Sequence, residues 1–295
     1  MKKKPNREYK DTVFVDLFSK DKNANENFIL LYNALHDTNL PLDTKLENIQ
    51  LEHVLYTGLR NDISFLLDNK LIVLAEHQST VNENMPLRFL EYVARLYEKT
   101  QEPKNRYLRK PVKIPTPEFY VFYNGEADYP AEKTLKLSDA FLDKNKDITL
   151  ELAVKVFNIN KDKNNPLLKK CKRLDEYSTF IEEARRLHKI DPEHGFETAI
   201  KECISKGILK DYLKRKNMEV NNMLVAEYDY ALDIAVQREE AGREAFEQGI
   251  SQGISQGITQ NTLKTIENMR NENCDNEFIS KITGLSVEEI KKLKP

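Results

Sequence analysis

Three cysteines, Cys171, Cys203 and Cys274, are spread through 295 residues. They form no CxxC pair and no zinc-ligand spacing, which excludes a disulfide scaffold and a zinc finger and fits a reducing, cytoplasmic setting. No apolar run approaches the ~20 residues that cross a bilayer, and the basic start Met1-Lys2-Lys3-Lys4 leads into no apolar signal core, so no membrane partner is expected. Charge of one sign is also missing. Forty-six Lys and Arg against 48 Asp and Glu give a net charge of -2. Any nucleic-acid surface must therefore be a local basic patch and not a field of the whole molecule. A Gly-rich phosphate loop, GxSxG and HExxH are all absent. His53, His188 and His194 show no metal-ligand spacing, and His36 stands alone.

What is present is an α/β pattern followed by a helical tail. Val13, Phe14, Leu17 and Phe18, then Phe28, Leu31, Tyr32 and Leu35, recur at helical spacing and predict two short helices split by residues 19–25. Residues 62–67 and 71–76 are rich in β-formers, and Asp68-Asn69-Lys70 between them is turn chemistry, so the pair reads as a hairpin. A helix is expected over residues 87–100, with Pro86 at its start and a stripe of Phe89, Leu90, Val93, Leu96 and Tyr97. A strand ends at Asn124-Gly125, and another is expected over residues 148–157. From Pro166 to about Glu240 the pattern is helical, broken at Asp191-Pro192 and Gly207. Residues 1–240 are thus one expected domain. Residues 241–295 form a second segment, for assembly, which contains the repeat Gln248-Gly249-Ile250-Ser251, Gln252-Gly253-Ile254-Ser255, Gln256-Gly257-Ile258-Thr259.

The hairpin carries the chemistry. If Leu67 pairs with Leu71, Asp62 falls opposite Glu76, with Cβ atoms roughly 5 Å apart on one face. Gln78, two residues on, shares that face. Two carboxylates this close are costly without a cation between them, and a hard ion such as Mg²⁺, with Mn²⁺ or Ca²⁺ as alternatives, is the expected occupant. Asp62 and Glu76 would hold it, the main-chain carbonyl of His77 could add a ligand, and Gln78 would position water or a phosphate oxygen. The plainer alternative is that Asp62 caps the strand while Glu76 faces solvent, and a register slip of one residue would separate the pair.

Arg88, Tyr92, Arg95 and Lys99 form one stripe of the following helix. Arg88 and Arg95 are candidate DNA-phosphate contacts, or else part of a solvated basic face. Asp11 reads as a helix cap and as a candidate extra member of the site. Gly249, Gly253 and Gly257 make a smooth helical groove beside Phe246, Ile250, Ile254 and Ile258, which suits a close helix crossing and predicts self-association or docking. The terminal pair of helices, split at Thr283-Gly284-Leu285-Ser286, has helix-turn-helix proportions. Glu288 and Glu289 at the second helix's start suit assembly better than DNA readout.

The runs Asn61-Asp62-Ile63-Ser64-Phe65, Leu74-Ala75-Glu76-His77-Gln78-Ser79-Thr80, Asn84-Met85-Pro86-Leu87-Arg88-Phe89 and Ala94-Arg95-Leu96-Tyr97-Glu98-Lys99 resemble the recombination-promoting nuclease (Rpn) family. These proteins are also described as PD-(D/E)XK nuclease-family transposases. Asp11-Thr12-Val13-Phe14, Ile114-Pro115-Thr116-Pro117-Glu118-Phe119, Tyr123-Asn124-Gly125 and Val154-Lys155-Val156-Phe157-Asn158-Ile159-Asn160 extend the likeness, colinear from about Tyr9 to about Gly257. The resemblance implies a restriction-endonuclease-like core, a mixed sheet flanked by helices. It also implies a divalent-metal-dependent DNA endonuclease acting in recombination or in mobile-element and phage conflict. Asp62 then takes the motif's first acid and Glu76 the second. Gln78 stands where the superfamily usually has lysine, a departure that removes a positive charge and a proton shuttle. The expectation is therefore a Mg²⁺-dependent endonuclease of low sequence specificity, with double-stranded DNA as substrate and a second copy as partner through the C-terminal helices. The alternative is a catalytically weak DNA-binding or assembly protein on the same fold.

Overall fold

The computed structural model describes residues 12–49, 62–68, 71–143 and 147–293. Contacts divide the chain into two units, Met1–Tyr228 and Asp229–Pro295.

The first unit is built on a six-stranded sheet: β1 (Leu46–Asn48), β2 (Ile63–Leu67), β3 (Leu71–Gln78), β4 (Thr116–Tyr123), β5 (Glu132–Lys136) and β6 (Ala153–Asn158). Their order across the sheet is β1-β2-β3-β4-β6-β5. The central pairs β3·β4 and β4·β6 are parallel, and β1·β2, β2·β3 and β5·β6 are antiparallel. A parallel pair needs a crossover, and α3 (Met85–Thr100) lies in the one between β3 and β4.

Alternation along the strands divides the buried side chains between two faces. Ile63, Phe65, Val73, Ala75, Tyr120 and Phe122 join one apolar cluster. To it belong α1 (Val13–Val15, running into a π-helical turn at Asp16–Lys20), α2 (Ala24–His36), α4 (Pro166–Lys170), α5 (Lys172–Ile190), α6 (Gly195–Ser205) and α7 (Lys210–Arg215). The first turns of α8 (Asn217–Asn271) contribute Val220, Met223 and Leu224. Leu74, Phe119, Val121, Tyr123, Val154 and Val156 join the other cluster, covered by Met85, Phe89, Tyr92, Val93 and Leu96 of α3.

Several expectations need adjustment. The last strand begins at Ala153, not Ile148; Ile148 and Leu150 are exposed, and residues 147–152 take no strand pairing. β1 and β5 were not anticipated, and α3 starts two residues earlier than expected. Asp11, His53 and the turn residues Asn69 and Lys70 lie outside the described residues. Asp68, the described part of that turn, has φ 48°, the left-handed conformation that aspartate tolerates.

In the second unit, Ile266 of α8 packs with Ile279 of α9 (Asn276–Thr283) and Ile290 of α10 (Val287–Lys292). Arg270 donates to the carbonyls of Ile290 at 2.6 Å and Leu293 at 2.8 Å, satisfying the open end of α10. The Gln-Gly-Ile repeat is helical within α8, and Phe246, Ile250, Ile254 and Ile258 are exposed.

Candidate active site

The hairpin register is the predicted one: Leu67 pairs with Leu71 and Ile63 with Ala75. Asp62 directly precedes β2, so the same register continued by one step would set it opposite Glu76, and its charge acts on that carboxyl. The Asp62 carboxylate crosses the gap and accepts the His77 main-chain N–H at 2.9 Å. A strand residue's N–H and C=O point toward the same neighbouring strand, so the His77 carbonyl faces Asp62's side as well. The next carbonyl along, that of Gln78, points the other way and accepts Asn124 N–H at 2.9 Å.

Glu76 is only 3 % exposed. Burial, then the nearby Asp62 charge, push its carboxyl up to about 7, against the opposing pull of Arg88, Tyr92 and Gln78. Gln78 Nε2 donates to Glu76 Oε2 at 3.3 Å and rests against Met85 Sδ at 2.7 Å. Arg88, in the first turn of α3, brings Nη2 to 3.3 Å from Oε1 and 3.1 Å from Oε2 of Glu76. The same nitrogen donates to the Tyr92 hydroxyl at 2.9 Å. Burial, then the Glu76 charge, push the Tyr92 phenol up to about 12, so it stays protonated at neutral pH.

The His77 side chain points to the opposite face. It stacks on Phe14 with ring centroids 4.9 Å apart, and its Nε2 meets the Tyr177 hydroxyl at 3.0 Å. Burial, helped by Arg185, pulls its pKa down to about 3, so the imidazole is neutral and serves the core. Arg95 lies seven residues beyond Arg88, ~10 Å along the α3 axis. The two arginines of the stripe thus do not converge.

Sequence reasoning missed a second polar group on this face. Arg185 of α5 donates to the Asn124 side chain at 3.0 Å and to its main-chain carbonyl. Glu227 of α8 has a fully enclosed Oε2 that meets no hydrogen-bond donor. Burial pushes its carboxyl up to about 6, Asp62 adding to the rise and Arg185 opposing it. Asn124 is flagged only as a strand end, and nothing in the spacing of Arg185 or Glu227 points to the hairpin.

Among the described residues, no group of three or more His, Cys, Asp or Glu side chains is arranged to hold a metal. Two carboxylates and a main-chain carbonyl are hard oxygen donors in small number. That set fits Mg²⁺, which binds one or two carboxylates and fills its remaining positions with water and phosphate oxygens. It does not fit zinc.

Residues 60–171, less than half of the chain, match the family described as "Putative transposase, YhgA-like", the Rpn/PD-(D/E)XK-type transposase family. The match spans β2 through α4 and includes Asp62, Glu76, Gln78, Arg88 and Tyr92. No curated protein and no solved structure matches the chain.

Proposed function

From a chain whose residues 60–171 belong to the YhgA-like transposase family, we propose that this protein is a divalent-metal-dependent DNA endonuclease. Its substrate is double-stranded DNA cut with little sequence preference, in recombination or in mobile-element and phage conflict. The observation that supports the reading is an almost wholly buried Glu76 that feels the charge of Asp62, whose carboxylate is held by the next main-chain N–H of β3. An apolar pair would be cheaper at such a position unless the charges had a cation to hold.

Asp62 and Glu76, with the His77 carbonyl, would hold Mg²⁺, or Mn²⁺ in its place. Such an ion lowers the pKa of a bound water and neutralises charge gathering on the scissile phosphate. The His77 N–H fixes the Asp62 carboxylate in position. Gln78 orients by hydrogen bonding: its amide can donate to a phosphate oxygen or accept from water, and it transfers no proton. A second copy of the chain, joined through the C-terminal helices, would bring one site to each strand of a duplex. No helix among the described residues is long and apolar enough to cross a membrane.

Purified protein is expected to nick or linearise supercoiled plasmid with Mg²⁺. Asp62→Ala and Glu76→Ala should each lower the rate by at least about 10²-fold, as expected when a group acting in the transition state is removed. Cleavage that survives both changes refutes the assignment. Gln78 in the lysine position favours one competing reading, a catalytically weak DNA-binding or assembly protein. Metal-independent DNA binding without scission, even in Mn²⁺, would select it.

A further inference from the structure

With glutamine in place of lysine, position 78 supplies no positive charge to a phosphate. Arg88 is bonded to Glu76 from the neighbouring helix. The spacing of four places Tyr92 one turn on along the same face, and its hydroxyl holds the guanidinium at 2.9 Å. Nη1 lies 3.5 Å from Met85 Sδ, the atom that also takes Gln78 Nε2 at 2.7 Å. The Arg88 side chain is 34 % exposed while that of Glu76 is 3 % exposed, so the guanidinium reaches from the buried carboxylate out to water.

A purely structural ion pair is a poor account of this arrangement. Burying an ion pair is about neutral, or worse, against an apolar pair of the same volume. A planar guanidinium with two parallel N–H vectors matches the oxygens of a phosphodiester, and one held beforehand loses little freedom when it binds.

We propose that Arg88 is a catalytic residue whose guanidinium, steered by Tyr92, grips a non-bridging oxygen of the scissile phosphate and supplies the charge that Gln78 cannot. This inference rests on the nuclease reading above. It has a consequence for metal binding that runs opposite to its consequence for the reaction. Arg88 and a divalent cation compete for Glu76, so removing Arg88 strengthens cation binding while it weakens catalysis.

The experiment compares the full-length wild type with Arg88→Ala and Arg88→Lys. It measures Mn²⁺ affinity by titration calorimetry without DNA at pH 8.5, and single-turnover plasmid cleavage in saturating Mg²⁺. Arg88→Ala should bind Mn²⁺ several-fold more tightly and cleave about 10²–10³-fold more slowly, the usual loss for one donor to a charged transition state. Arg88→Lys keeps Glu76 neutralised and the fold intact, so it carries the test if the alanine variant does not fold. It should bind Mn²⁺ like the wild type and recover only part of the rate, because an ammonium presents no fork. Wild-type cleavage matched by either variant overturns the role of Arg88 alone. So does an alanine variant that loses metal affinity together with activity, the pattern of a merely structural pair. A wild type that makes no cut in Mg²⁺ or Mn²⁺ overturns the nuclease reading itself.

Discussion

Neighbouring residues on β3 are put to opposite uses. Glu76 faces α3 and a polar cluster, and its pKa lies near neutrality; His77 faces the core with its pKa held far below. Alternation along the strand accounts for the split, and it was legible from the sequence together with the Leu67–Leu71 register of the hairpin. Arg185 and Glu227 were not legible. They lie more than 100 residues away, and their approach depends on how α5 and α8 pack, which local periodicity does not encode. Glu227 yields a pH prediction. Its carboxyl holds a proton up to about pH 6 in the fold, against 4.5 for an ordinary glutamate. The folded state therefore binds the proton more tightly, and stability falls as pH rises from about 4.5 through about 6. Glu227→Gln removes that loss. In metal-free buffer the variant should be more stable than the wild type at pH 7.5 by about 1–2 kcal/mol, and should lose the advantage at pH 4, by chemical denaturation. A variant less stable at pH 7.5 would contradict the placement of this carboxylate.

At the scale of elements, the strongly periodic pieces were readable and the weak ones were not. The helix α3 has a continuous apolar stripe and Pro86 at its second position, so its existence and start were close to fixed by pattern. β5, Glu132-Lys133-Thr134-Leu135-Lys136, has a single buried residue and lies at the sheet's edge, where charged side chains are the rule. β1 has only three residues, at the other edge. Neither gives a signal above that of a loop. Gly125, read as a strand end, has a further duty: a Cβ there would fall 2.1 Å from the Ser79 carbonyl oxygen, next to Gln78. Gly125→Ala must push the end of β3 away from β4. It should cost about 1–3 kcal/mol, the usual range for forcing a methyl into a packed contact. It should also slow cleavage more than it weakens DNA binding. An alanine variant with wild-type melting temperature and rate would refute the close approach.

For the whole molecule, the sequence suggested a boundary near residue 240, and the contacts divide at Tyr228 and Asp229. No breaker marks either position, because α8 runs from Asn217 to Asn271 without interruption. Within the second unit, Gly249, Gly253 and Gly257 have nothing within 4 Å of an added Cβ. Replacing all three by alanine should therefore favour the helix by about 1 kcal/mol per position. If a second copy crosses closely at this groove, the same triple change should weaken self-association, seen by sedimentation across a concentration series. Association that is unchanged or strengthened would remove the groove from the interface.

Whether Asp62 and Glu76 hold one divalent cation together is decided by soaking Mn²⁺ into crystals of the full chain. A single anomalous peak is expected within bonding distance of both carboxylates and the His77 carbonyl. A peak bound to only one of these acids, or Mn²⁺ bound elsewhere while Glu76 stays paired to Arg88, would contradict it.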